Sequence, residues 1–574
     1  MRRRWVPSPR ISGGASPRRW ASLDAVQRYA ERLFAMRWRW APTRSRPVPV
    51  RVAAGALAAA LALLVGAKLS RAQLDLAQRV EMLIAGLDFD LARRDLRTLQ
   101  GITDDPRFAV ERARLAIYEL DCDGAAAILG RSDAQRSGDG EALADIARGC
   151  QRVTASLSTS KDEKRGIEVR WQDENDAPLA PLLFDTVAEA RVALTRDLGV
   201  DWPLPTRIVV VRDLLSLSAM TGLPYDSART TGTVAVAKWG RVTLLSPGAT
   251  PHGFPWRDTI AHELTHLAVT RATRDRAPLW LQEGVAKREE QRWREADPFD
   301  DRPSPDTIVQ HGMDRGMTLP FDKLGPSIAM LPSADASMVA FAEVTSFVRF
   351  YADSEGVGAL PKLFRAIREG RDPNAALVVA SGADLKAWDA RWRASILSRP
   401  RTPLPPLFDL GEDKTGADAL RRLRDRVRLA ELLLSRGRAD GALKELDRIG
   451  ADRSATARRE GPVPDDATVL WLRGRALEMA NRAAEVGPSV DDVRRAASSF
   501  GPWWALRGRW ANSTGDPNTA RTSFSEALSV DPLDPESACE SIDVSRPVIP
   551  ADGSAPVCDA ARARAGPPFE SEGD

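Results

Sequence analysis

His262-Glu263-Leu264-Thr265-His266 sets two imidazoles four residues apart around a carboxylate. On a helix, positions i and i+4 share a face, so both rings can reach one cation. The surrounding apolar run, Thr259-Ile-Ala before and Leu267-Ala-Val after, predicts that helix. Glu263, beside the first ring, is then placed as general base toward a water on the ion. The chain carries four His in 574 residues, so abundance does not explain the pairing. A catalytic zinc takes three protein ligands and keeps one corner for solvent. Glu283, seventeen residues after His266 in Pro278-Leu-Trp-Leu-Gln-Glu-Gly-Val-Ala, is the candidate third ligand. Glu290 lies seven residues further on, two turns along the same face. It suits an acceptor for a ligand imidazole N–H; the competing reading is a solvated helix charge.

These residues carry a family resemblance. Trp280, Leu281, Glu283, Gly284 and Ala286 match W-L-x-E-G-x-A, the second motif of the gluzincin metallopeptidases. The stretch from about Ile167 to Leu397 is similar to the peptidase MA-like gluzincin domains, which often stand beside tetratricopeptide repeats. The resemblance implies one zinc ion held by His262, His266 and Glu283, with Glu263 as the catalytic base. It also implies an α+β domain, a mixed sheet plus the H-E-x-x-H helix. Arg207-Ile-Val-Val-Val reads as a buried strand, and 233–238 and 241–245 as two more, split by Trp239-Gly240. In gluzincins an edge strand beside the metal helix pairs with extended substrate, and one of the latter two strands is the candidate edge.

The chain also departs from the family. Where the family tends to carry Tyr, a donor to the oxyanion of the tetrahedral intermediate, this sequence has Phe341. Tyr351, Tyr225 and His311 are the remaining candidate donors, each of which reads equally as a core or surface residue. The loop from His266 to Glu283 is shorter than in thermolysin or the zinc aminopeptidases. No G-x-M-E-N-like segment is present to capture a free amine, so an endopeptidase acting on protein or peptide is expected.

Charge is distributed unevenly. Residues 1–51 hold 13 Arg against Asp24 and Glu31, net +11, and the other 523 residues carry −8. The basic balance therefore sits in one tail and does not mark the folded part as a nucleic-acid binder. Arg outnumbers Lys 72 to 10, a composition that fits a high-GC bacterium. Sixteen uncharged residues, 52–67, separate Arg51 from Lys68. They are short for a span, but snorkelling by Lys68 and Arg71 extends them. The expectation is an uncleaved transmembrane signal anchor in the bacterial inner membrane. Residues 1–51 form a disordered cytoplasmic tail by the positive-inside rule, and everything beyond lies in the periplasm. A buried core helix and a cleaved signal peptide are the rivals. Cys122, Cys150, Cys539 and Cys558 all fall on the oxidising side, where Cys122–Cys150 and Cys539–Cys558 are plausible bridges; sequence leaves three connectivities open.

The rest reads as helical. Leu472-Arg-Gly-Arg475 recurs as Leu506-Arg-Gly-Arg509, a spacing of 34, the tetratricopeptide period. Residues 415–540 are read as about three such repeats, able to bind a protein partner or to cap the catalytic domain's flank. Residues 72–155 read as a helical repeat-like spacer, 154–166 as a polar linker, 165–398 as the peptidase domain and 541–574 as a C-terminal tail. Two functions follow: an anchored zinc metallopeptidase, or a catalytically weak or inactive peptidase-like domain acting as an anchored repeat scaffold.

Overall fold

The computed structural model describes residues 76–99, 105–200, 202, 204–250, 253–295, 303–325, 327–404, 425–460, 467–482, 485–487, 500–545 and 554–565. The chain divides into two units, Met1–Gln73 and Leu74–Asp574, and all described residues lie in the second. The anchor expected at 52–67 falls outside them. Among the described residues no helix is long and apolar enough to cross a membrane.

Five strands make one mixed sheet in the order β1-β2-β3-β5-β4. They are β1 Ser158–Asp162, β2 Ile167–Trp171, β3 Thr206–Val211, β4 Ala235–Lys238 and β5 Arg241–Leu245. β2, β3 and β5 run parallel; β1 and β4 are antiparallel edges. β3 shows why the centre is apolar throughout. Ile208 and Val210 enter the main core on one face, and Val209 and Val211 pack with Leu217, Met220 and Val153 on the other. A strand covered on both faces reads as a continuous hydrophobic run.

β1 corrects the expected linker at 154–166. Ser-Thr-Ser-Lys-Asp is polar because its positions alternate between half-buried and exposed at a sheet edge, where polar residues discourage further pairing. β4 and β5 form a hairpin with Lys238 opposite Arg241. Its two turn residues, Trp239 and Gly240, have φ of 56° and 68°, the all-positive pattern of a type I′ turn that glycine favours.

The hairpin tip is held by the N-terminal helices. These include α1 Pro106–Glu119 and α2 Gly140–Thr154, the latter bridged by Cys122–Cys150 to the helix Cys122–Leu129. Arg241 is fully buried and donates to the carbonyl of Ile117 at 2.6 Å. Trp239 meets Tyr118 edge-on, centroids 5.7 Å apart. The N-terminal helices are thus packed onto the sheet as well as preceding it.

On the main-core face, α3 Leu179–Leu198 and α4 Trp256–Thr273 pack together. Ile260, Ala261, Leu264, Leu267 and Ala268 of α4 are buried at helical spacing. α5 Leu279–Glu289 follows, and α6 Ala334–Glu355 packs along it. Glu343 of α6 is fully buried, accepting from the Leu319 N–H at 2.9 Å. Burial pushes its carboxyl up to about 7 from the ordinary 4.5. The folded chain therefore holds this proton where the unfolded chain releases it. The stability that this proton contributes is fully present below pH 4.5 and is lost as pH rises through about 7. We expect Glu343→Gln to remove a fall of about 3 kcal/mol in unfolding free energy between pH 4.5 and 8. Denaturant titrations of both proteins across that range check it; parallel pH profiles would refute it.

The C-terminal helices include Ala439–Glu460, Ala467–Met479, α7 Gly501–Ser513, α8 Pro517–Val530, Pro535–Ser545 and Ser554–Ala565. Gly508 of the repeated Leu-Arg-Gly-Arg lies against Phe524, where a Cβ would come within 2.6 Å of the ring. The tail expected at 541–574 is corrected in part: the Ser554–Ala565 helix is tied back by Cys539–Cys558. The C-terminal helices also touch the path into α4, where the Phe254 N–H donates to the Val530 carbonyl at 3.1 Å.

Candidate metal centre

α4 and α5 carry the motif residues and pack against one another. Nε2 of His262 lies 3.2 Å from Nε2 of His266. Oε2 of Glu283 lies 3.7 Å from the first and 3.6 Å from the second. In the plane of these three atoms, the point equidistant from them is about 2.0 Å from each, an ordinary zinc–nitrogen or zinc–oxygen bond length. The donor set, two imidazoles and a carboxylate, suits zinc. All three side chains are mostly buried, 12%, 17% and 15% exposed.

The surroundings orient each group. Oε2 of Glu290 lies 3.2 Å from Nδ1 of His262, as the two-turn spacing predicts. Burial alone would raise the Glu290 carboxyl, but the Lys287 ammonium and the His262 contact hold it well below the usual range. Desolvation works against a charged His262, but the Glu290 contact and the negative charges of Glu263 and Glu290 together outweigh it and raise that imidazole's pKa. Nδ1 of His266 lies 3.3 Å from Oε1 of Gln282. Oε2 of Glu263 accepts from the Ala237 N–H at 2.5 Å. Glu263 thus lies beside both rings, its candidate ligand atom within 4.8 Å of theirs, and points one oxygen at the open edge strand β4.

Gly284 explains the small residue after Glu283. A Cβ there would stand 2.5 Å from the Val344 carbonyl oxygen and 2.5 Å from Cγ2 of Val348. α5 could not approach α6 this closely with any larger residue. Gly284→Ala is expected to cost about 1–3 kcal/mol by overpacking and to weaken zinc binding by shifting Glu283. Thermal melts of metal-free and zinc-loaded protein read both effects; an unshifted melt would mean α5 has room to spare.

The three candidate oxyanion donors have other places. Tyr351 is buried against Trp388, centroids 5.1 Å apart, and burial pushes its phenol up to about 12. Nε2 of His311 lies 2.9 Å from the Thr402 carbonyl. Tyr225 is exposed at the start of the helix Tyr225–Thr231. Among the described residues, no hydrogen bond or ion pair joins any of the three to His262, Glu263, His266 or Glu283.

With the two motifs converged on one point, comparison with known proteins adds a family match over part of the chain. Residues 186–398 match the Peptidase MA superfamily. The Peptidase MA match takes in β3, β4, β5 and both helices that carry the convergent residues. No curated protein matches the chain. Among solved structures, native yeast LTA4 hydrolase matches at 13% identity and a TM-score of 0.28, over 70% of this chain. The match covers 66% of that protein, just under two thirds of its length.

Three contacts at the site leave little mark in the sequence. Gln282 occupies the variable position of W-L-x-E-G, so motif spacing was silent; a polar residue beside a ligand in an apolar run was the available signal. The Ala237 N–H belongs to the backbone and leaves no mark in side-chain pattern. Lys287 stands four residues after Glu283, on its face of α5, and only the packing of α6 against α5 decides what it touches.

Proposed function

We propose that this chain is a zinc metallopeptidase cleaving internal bonds of extended protein or peptide substrates. The observation that supports it best is the convergence of His262, His266 and Glu283 on one point with Glu263 beside it. Zinc, when bound, supplies Lewis acidity and lowers the pKa of its water to about 7. His262 and His266 would hold it through Nε2 and Glu283 through Oε2. Glu290 and Gln282 fix the tautomers by taking the Nδ1 protons. Glu263 receives a proton from the attacking water on its carboxylate and passes it to the leaving amine. The Ala237 N–H keeps that carboxylate aimed at the cleft.

β4 is the proposed substrate platform. Val234 accepts from Leu245 across the hairpin, so by strand alternation Ala235 and Ala237 turn their backbone groups away from β5; the Ala237 N–H is already given to Glu263, which leaves the Ala237 carbonyl and the Ala235 groups for pairing. An extended peptide could pair there by strand addition. We also propose that residues 52–67 anchor the protein in a bacterial inner membrane, with this domain in the periplasm and the C-terminal helices open to a protein partner.

A weak or inactive peptidase serving as an anchored scaffold is the second reading, favoured by Phe341, which offers no hydroxyl. Incubating the full-length chain with casein separates the two. Zinc-dependent fragmentation that stops with chelator and returns on zinc addition is expected; stoichiometric zinc without fragmentation would favour the scaffold.

A further inference from the structure

One oxygen of Glu290 serves two partners. Its Oε2 lies 3.2 Å from Nδ1 of His262 and accepts from the Lys287 ammonium at 2.6 Å. The same ammonium lies 5.5 Å from the centroid of the Phe341 ring, within range of attraction by the ring's negative face. Lys287 is thus held between a carboxylate and an aromatic face, one turn along α5 from Glu283. Its side chain is 34% exposed, so the contact does not depend on full burial.

The arrangement has a definite electrostatic sense. A carboxylate accepting from a ligand imidazole raises that ligand's basicity. An ammonium on the same carboxylate oxygen draws that charge away. It also adds a positive charge close to where a divalent cation would sit. Both effects oppose metal binding, so the ion, once held, keeps more of its own charge.

We propose that Lys287 is a positioning residue that restrains His262 as a metal ligand through Glu290. The proposal rests on the metal-centre reading above. Phe341, the residue that departs from the family, supplies the ring face that helps hold the ammonium there. The rival is a clamp: Lys287 merely keeps Glu290 in place, and its loss lets Glu290 swing away from His262.

The two differ in sign. Zinc dissociation constants of the full-length chain are measured by competition with a chromogenic chelator, for the wild type, Lys287→Met and Lys287→Arg. Restraint predicts that Lys287→Met binds zinc about 10-fold tighter, the scale of outer-partner effects, while Lys287→Arg stays near wild type. General damage to the fold weakens binding, so tightening cannot arise from it. Lys287→Gln, a smaller change, must tighten in the same direction and serves if the Met variant does not fold. Unchanged or weaker zinc binding in the neutral variants overturns the proposal. A wild-type chain that binds no zinc would sink the metal-centre reading itself, a different outcome.

Discussion

On the proposed function, Glu263→Gln is expected to keep zinc and to lose peptide hydrolysis by about 10²–10⁴-fold in kcat, the usual worth of a positioned general base. The retention follows from geometry. His262, His266 and Glu283 supply the convergent atoms, and Glu263 stands beside them with one oxygen committed to the Ala237 N–H. A glutamine can still accept that bond through its amide oxygen, so β4 and α4 keep their relation. What the amide cannot do is take a proton at neutral pH. The check is a paired measurement of zinc content and casein fragmentation on the same preparation. Full activity in the Gln variant would remove Glu263 from its role. Loss of zinc along with activity would mean that Glu263 itself helps hold the ion.

Glu283→Ala is expected to give the opposite pair of readings, with zinc lost and activity lost with it. Oε2 of Glu283 closes a triangle with two nitrogens, and its side chain is 15% exposed. Without it, two imidazoles from one helix remain, and the ion must fill its coordination with water. The expected fall in zinc affinity exceeds the 10–100-fold or so attached to outer partners such as Glu290 and Gln282. Metal analysis after dialysis against micromolar zinc reads it as a drop from about one ion per chain toward none, the three-ligand requirement of a catalytic site being unmet. A variant that stays zinc-loaded would assign the third ligand elsewhere.

The part of this site legible in sequence is the part with a fixed period. His262 and His266 are one helical turn apart, and Glu290 lies two turns beyond Glu283; those intervals determine shared faces before any fold is known. β3 and β5 are legible differently, as short, mostly apolar runs bounded by turn residues, buried because both faces of the sheet centre are covered. Contacts across elements were not. Nothing in Ala237 signals that its N–H will meet Glu263, because register and the type I′ turn at Trp239-Gly240 decide it. Lys287 reads as an ordinary basic residue in the last turn of a helix until α6 brings Phe341 beside it. β1 was missed because an edge strand need bury little, and Ser-Thr-Ser-Lys-Asp looks like loop composition. The expected spacer at 72–155 also took no account of Arg241, a charged residue whose full burial depends on a carbonyl 124 positions away.

The most direct test is anomalous diffraction at the zinc edge from crystals of the zinc-loaded protein. One peak is expected, with Nε2 of His262, Nε2 of His266 and Oε2 of Glu283 each about 2.0–2.2 Å away and a solvent position open on the Glu263 side. A peak elsewhere, or Glu283 rotated out of reach of the two imidazoles, would contradict it.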